Sequence, residues 1–343
     1  MKDIKTIGIL VNRRWERLPV LKLYRRYQAN RGIRLVCFAA CDIDWGRKRV
    51  RGLHYQMNKW QIGFFPFPTV IYNRYYTSST EVMDRLGQVI GSTKCFNQAN
   101  QFDKLQAYQH TNPMLHAHLP ETLAYQAEAL EPMLVLHKRI YLKPARGSQG
   151  RGVYRIEAME SGDYHLSNHY VLPFIITRSI GELQSEVARV TGALPYLIQK
   201  GIDTQQLNNR TFDIRVLVQK NSSGQWSYSN AISRIAYEGC FNTSICERVE
   251  TTEQVLNQLY SPDVVFLKMS LISWLGVRTA ELTESELGVH LGEISVDMTL
   301  DQEGNVWIIE VNGMPQKSLY SDQASRQMVY SRPLEYGAYL CNS

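Results

Sequence analysis

Two carboxylates and an amide near the C-terminal end carry the clearest chemistry. Polar Glu293, Ser295, Asp297 and Thr299 alternate with apolar Ile294, Val296, Met298 and Leu300, the period of a strand with one polar and one apolar face. After Gln302-Glu303-Gly304-Asn305, Trp307, Ile309 and Val311 alternate with Ile308, Glu310 and Asn312. A two-residue turn at Glu303-Gly304 predicts that Asp297 lies across from Glu310 and Ser295 across from Asn312. It also puts Trp307, Ile309 and Val311 on the apolar face. Carboxylates facing each other across a ladder stand about 5 Å apart at Cβ and repel, so something must offset them. A divalent cation does this: hard oxygen ligands suit Mg²⁺, which keeps waters and bridges to phosphate. Asp297, Glu310 and Asn312 are the candidate metal ligands. The alternative is a solvated acidic face, although a plain surface hairpin has no need of the amide that ends this strand.

A metal of this kind calls for a phosphate site, and residues 140–156 offer one. A strand over 140–144 leads into Ala145-Arg146-Gly147-Ser148-Gln149-Gly150-Arg151-Gly152, and a second strand follows over 153–156. Three glycines let backbone N–H groups approach an anion. Gly-Lys-Ser/Thr is missing and a strand follows the loop, so this is neither a Walker P-loop nor a Rossmann turn but a strand–loop–strand flap. Lys143 feeds the flap and Lys104 lies at the junction before it; both are candidates for nucleotide phosphates. In the apolar strand 211–218, Asp213 and Arg215 share a face, either as an i,i+2 ion pair or with Arg215 turned to an anion. Arg215 and Arg234 are the candidate catalytic cations. Between flap and arginines, Gln199-Lys200-Gly201-Ile202-Asp203 could read an adenine edge through its backbone, with Asp203 accepting from a ribose hydroxyl. No Gly-x-Ser-x-Gly, His-Arg-Asp or Asp-Phe-Gly occurs. The eight histidines are assigned to structure or surface.

These groups need a frame. The chain has 343 residues, 44% apolar and 20% charged, enough for more than one core. Short apolar runs at 7–11, 34–39, 70–73 and 94–97 read as strands, and 19–30 and 80–90 carry helical spacing. The alternation predicts a small parallel sheet covered by helices. A polar helix-compatible stretch over 98–108 joins it to a hairpin-rich remainder. The net charge of +6 is too small to make nucleic acid the default partner, but residues 1–60 hold 15 Lys and Arg against 4 Asp and Glu. That segment is a solvated face, or it meets phosphate or an acidic substrate. Six scattered cysteines without a Cys-x-x-Cys read as reduced thiols in a cytoplasmic chain. No signal-peptide pattern or 18-residue apolar run is present, so no membrane association is expected.

Taken together, Phe102-Asp103-Lys104, Leu119-Pro120-Glu121-Thr122, the Lys143 strand with its flap, Phe212-Asp213-Ile214-Arg215, Asp297 and Ile309-Glu310-Val311-Asn312 resemble the ATP-grasp fold, and within it the YheC/YheD group of endospore coat-associated proteins. The resemblance covers about residues 95–320. It implies an α/β (α+β) ATP-grasp architecture with an N-terminal pre-ATP-grasp α/β domain over 1–97. A linker helix and lid subdomain over 98–195 and a C-terminal subdomain over 196–343 would follow. It implies ATP and Mg²⁺ as cofactors, Lys104 and Lys143 on the phosphates, 146–152 closing over them, 199–202 as the adenine hinge, Asp297, Glu310 and Asn312 on the metal, and Arg215 neutralising phosphate. Such enzymes join a small-molecule or peptide carboxylate to an amine through an acyl phosphate. A phosphotransferase and a non-catalytic nucleotide-binding protein of the spore coat are the alternatives. One departure stands out: where a Gly-Gly pair is expected after the asparagine of the substrate-side loop, this chain has Asn242-Thr243-Ser244-Ile245-Cys246-Glu247.

Overall fold

The computed structural model describes residues 5–30, 32–147 and 149–343. Three sheets follow one another along the chain. The first has the strand order Ile43–Asp44, Arg49–Gln56, Arg34–Ala39, Thr6–Val11, Val70–Arg74, Cys95–Phe96, with Lys59–Pro66 added to Arg49–Gln56. Its centre is parallel, as the alternation predicts, but the sheet is mixed. The difference is the hairpin 49–66, whose turn residues Met57 and Asn58 both take positive φ and so fold two strands back on each other. Helices Arg17–Tyr27 and Gln323–Leu340 cover one face and Glu81–Ile90 the other.

The second sheet is antiparallel, in the order Ile175–Thr177, Tyr164–Asn168, Tyr154–Ala158, Arg139–Pro144, Tyr196–Lys200, Thr122–Ala124. The two strands flanking the flap are neighbours in it, and Tyr196–Lys200 pairs with Arg139–Pro144. In the third sheet, Cys246–Thr251, Trp226–Ala236, Arg210–Lys220, Glu293–Leu300 and Val306–Asn312 run side by side. The helix Pro262–Leu287 backs it. Gly276 permits the close approach, since a Cβ there would come within 2.9 Å of the Val216 side chain.

Strand Glu293–Leu300 is buried on both faces. Ile294, Val296, Met298 and Leu300 enter the core beneath the long helix, while Asp297 on the other face is only 6% exposed. Asp297 is therefore no part of a solvated surface, while Glu310 across from it keeps 24% of its side chain exposed.

The acidic hairpin reaches its expected pairing by an unexpected route. The turn is longer than Glu303-Gly304: Asp301 accepts from the Asn305 amide (2.7 Å) and from Trp307 Nε1 (2.8 Å), so Leu300 pairs with Val306 and Met298 with Ile308. Val306 and Ile308, rather than Trp307 and Ile309, therefore enter the core. The register then shifts between Met298 and Asp297, leaving Ile309 as the extra residue. That bulge restores Asp297 opposite Glu310, Val296 opposite Val311 and Ser295 opposite Asn312.

Candidate active site

A cleft of about 180 Å³ lies between the second and third sheets. Lys104 owes its place to a cap. The helix Lys104–Leu115 starts later than the 98–108 stretch predicts because the Asp103 carboxylate accepts from the Leu105 and Gln106 amides at 3.0 and 3.2 Å. Lys104 Nζ donates to the Gly147 carbonyl in the flap (3.0 Å) and stands 3.5 Å from Glu310. Lys143 reaches the same space from its strand, its ammonium donating to Gln199 Oε1 at 2.5 Å. Burial pushes Lys143 down to about 8, with Lys104 adding to the shift and Glu310 and Asp297 opposing it.

The flap closes the cleft through Gly147, Gln149, Gly150 and Arg151. Gln149 and Gly150 both take left-handed backbone, and Asn242 Nδ2 donates to the Gly150 carbonyl at 3.3 Å. Gly152 turns instead toward Pro144 and the Tyr196 hydroxyl. Ser148 lies outside the described residues.

Of the two readings of Asp213 and Arg215, the i,i+2 ion pair gives way to pairs between strands. Arg215 stands directly across from Asp297 and Asp213 directly across from Arg234, so each pair forms between strands. Arg215 grips Asp297 through two bonds of 2.7 and 2.6 Å. Arg234 makes a forked contact with Asp213 and reaches Asp297 at 3.1 Å, while Thr243 Oγ1 donates to Asp213 at 2.6 Å. Burial alone would raise the Asp297 carboxyl, but Arg215 and Arg234 outweigh it and hold it at about 2. The repulsion between Asp297 and Glu310 is thus already offset by the protein's own cations, two arginines on one side and Lys104 on the other.

Asn312 Nδ2 lies 3.4 Å from Asp297 Oδ2. Among the described residues, no group of three His, Cys, Asp or Glu is arranged to hold a metal ion. The trio on the hairpin is two carboxylates and an amide, all oxygen donors bordering one cleft, and that donor set fits Mg²⁺ completed by water and phosphate.

Residues 199–203 divide between cleft and surface. The Lys200 and Gly201 amides already donate to the Glu121 and Arg139 carbonyls (2.8 and 2.9 Å); Gln199, Lys200, Ile202 and Thr204 line the cleft, while Gly201 packs on Arg139. Asp203 is 75% exposed along its side chain and pairs with Arg139 at 3.2 Å, away from the lining of the cleft. Residues without a sequence signal join the cleft as well: Tyr141 and Phe241 flank it, and Asn242 and Thr243 tie the flap and the arginine cluster to one loop.

The family model for YheC/D-like ATP-grasp proteins matches residues 92–340. The chain belongs to that family. Its curated relatives include the endospore coat-associated protein YheD of Bacillus subtilis (strain 168), 24% identical over 88% of this chain and 70% of YheD. Among solved structures, D-alanyl-alanine synthetase A from Vibrio cholerae shares the ATP-grasp fold at a TM-score of 0.57 and 12% identity, covering 99% of this chain and 97% of that one. The ATP-grasp ligase PsnB, solved with a minimal precursor, Mg and ADP, matches at a TM-score of 0.52 and 13% identity over 98% of each chain. The ATP-grasp fold expected from the sequence is therefore the fold of this YheC/D-like chain. Among its described residues no helix is long and apolar enough to cross a membrane.

Proposed function

We propose that this chain is an ATP- and Mg²⁺-dependent carboxylate–amine ligase that works through an acyl phosphate and releases ADP and phosphate. The observation carrying the reading is the pairing of Asp297 with Glu310 on a buried face beneath a glycine flap, with Lys104 joining flap and Glu310. The first sheet and its helices then serve the substrates, the second sheet is the lid, and the third holds the metal.

Asp297, Glu310 and Asn312 would hold the metal, which when bound neutralises the nucleotide's phosphates and polarises the group in transit. Lys104 and Lys143 neutralise the phosphates from the lid side. Residues 199–202 border the adenine, with Ile202 and Lys200 contributing side chains. Arg215 and Arg234 border both the cleft and a neighbouring cavity, so they stand where charge develops as a carboxylate oxygen takes the γ-phosphoryl. The amine then attacks the acyl carbon and phosphate leaves. Acyl phosphates hydrolyse, so the Asn242-to-flap contact matters for keeping water out. The reaction needs no side-chain nucleophile. The reading carries a cytoplasmic setting, with the association to the spore coat that the YheD relative's name describes for that protein.

Hydroxylamine trapping tests it. The chain with ATP, Mg²⁺ and a panel of carboxylic acids should release ADP and form a hydroxamate with its own acid. ADP without hydroxamate points to a phosphotransferase, and nucleotide binding without ADP release to a non-catalytic role.

A further inference from the structure

A second cavity, of about 470 Å³, opens beside the nucleotide cleft. Arg215, Arg234, Glu310 and Asn312 form their common wall. Elsewhere the chamber is bounded by the first sheet and its helices, through Tyr24 of Arg17–Tyr27, Arg74 at the end of Val70–Arg74, and Lys317.

Charge does not balance there. Arg74 and Lys317 share one carboxylate, Glu293, at 3.6 and 2.5 Å. Lys317 spends its donors on Glu293, the Tyr24 hydroxyl (3.2 Å) and the Tyr72 hydroxyl (3.0 Å). Glu293 is further occupied by the Tyr72 hydroxyl and Gln219 Nε2. Arg74 gives Nη1 to the hydroxyls of Tyr24 and Tyr72 at 3.0 and 3.1 Å, and its side chain, 16% exposed, borders the chamber. Two cations against one carboxylate leave an excess positive charge in a nearly dry place, which is costly without a counter-ion. Burial pushes Lys317 down to about 8, toward shedding that charge, with Arg74 adding to the shift and Glu293 opposing it. An anion resting on Arg74 would remove the imbalance.

We propose that Arg74, braced by Tyr24 and backed by Lys317, is an anion-binding subsite of the substrate chamber, and that the acid this chain takes is a dianion. One carboxylate would lie at Arg215 and Arg234, and a second carboxylate, phosphate or phosphonate at Arg74. Only the choice of which end is activated rests on the ligase reading; the subsite stands on the chamber itself.

Calorimetry on the full chain without nucleotide tests this, using glutarate, adipate, their monoamides and 3-phosphonopropionate. The dianions should bind about tenfold more tightly than the monoamides, the value of a charge-assisted pair. Whichever of dicarboxylate and phosphonate binds tighter identifies the second group. In Arg74→Met the gap should close, in Arg74→Lys part of it should return, and MgATP binding by both variants should match the wild type. Equal binding of dianion and monoamide, a gap that survives Arg74→Met, or no binding of any acid overturns the proposal. ADP release is a separate readout: dianion preference without ADP from any acid defeats the ligase reading and leaves the subsite standing.

Discussion

Glu293 and Asp297 sit four residues apart on one face of one strand, both buried, each beside two cations, and they are put to different uses. Glu293 is closed in by Lys317, the Tyr72 hydroxyl and Gln219, in a cluster joining the first sheet to the third. Asp297 is held by Arg215 and Arg234, which both border the cleft where a phosphate would arrive. Burial makes either carboxylate expensive without partners. What separates them is whether the carboxylate itself opens on a cavity: Asp297 lines the cleft, whereas around Glu293 only the partners Arg74 and Lys317 reach the neighbouring chamber. A buried carboxylate closed in by its partners is a brace; one that opens on a cavity can exchange partners with a ligand.

The sharpest way to break that comparison is to remove each charge in turn. Glu293→Leu leaves Lys317 and Arg74 facing each other unpaired and should cost about 3–5 kcal/mol of stability, read as a fall in the denaturation midpoint. Asp297→Asn should retain most of the stability, because Arg234 still has Asp213 and the amide can still accept from Arg215, while ADP release falls by about 10²–10³. The reason for that retention is not relief of repulsion with Glu310, since the arginines have already removed it. If both variants lose stability equally, the distinction between brace and exchangeable pair fails. Acid sharpens the same contrast. Both carboxyls are held below their ordinary values, so the stability they contribute is present above the ordinary carboxylate range and is lost as pH falls below it, for Asp297 as pH approaches about 2. Glu293→Gln should flatten that loss, measured as unfolding midpoint against pH.

Lys143 provides the next test, on binding rather than folding. Its ammonium sits at about 8 because burial disfavours the charge, so the wild type loses the cation as pH rises through 8 and regains it when phosphate arrives. Nucleotide binding at pH 8.5 should take up a proton, seen as a buffer-dependent calorimetric enthalpy. Affinity should drop between pH 7 and 9 in the wild type and not in Lys143→Arg. A smaller effect is expected from Gly150→Ala. Its φ of +64° disfavours a side chain, and a Cβ there would come within 2.2 Å of Asn242 Nδ2, so flap and latch must part. Turnover should fall by roughly tenfold, the cost of about 1–2 kcal/mol of left-handed strain, with the midpoint unchanged.

How much of this was legible follows from the range of each signal. The pairing within the acidic hairpin could be read because period-two alternation is local, and because a longer turn and a bulge at Ile309 cancel, so a wrong turn still gave the right partner for Asp297. The strand–loop–strand form of the flap could be read because apolar runs bracket the glycines, and those two strands do pair. The arginine pairing could not: Asp213 and Arg215 two apart look like partners until the neighbouring strands supply Arg234 and Asp297 directly opposite. The chamber is less legible still, since Arg74, Glu293 and Lys317 lie far apart in the chain and meet only because Gln323–Leu340 returns to the first sheet. The basic first sixty residues announce charge without saying where it points, and Arg74 lies outside them.

Asp203 gives the smallest expected effect and the cleanest check on the adenine segment. The ribose assignment places its carboxylate in the nucleotide site, where loss of a charge-assisted hydrogen bond would weaken ATP by about tenfold. The structure instead turns that side chain to solvent against Arg139, which also pairs with Glu157 at 2.8 Å and so retains a partner when Asp203 is neutralised. Exposed pairs of this kind contribute about 0–1 kcal/mol. Asp203→Asn should therefore leave MgATP affinity within about twofold of the wild type. Ile202→Ser, which roughens the apolar side of the cleft one residue earlier, should weaken it more. A reversal of that order would return the ribose to Asp203 and require residues 199–203 to rearrange when nucleotide binds.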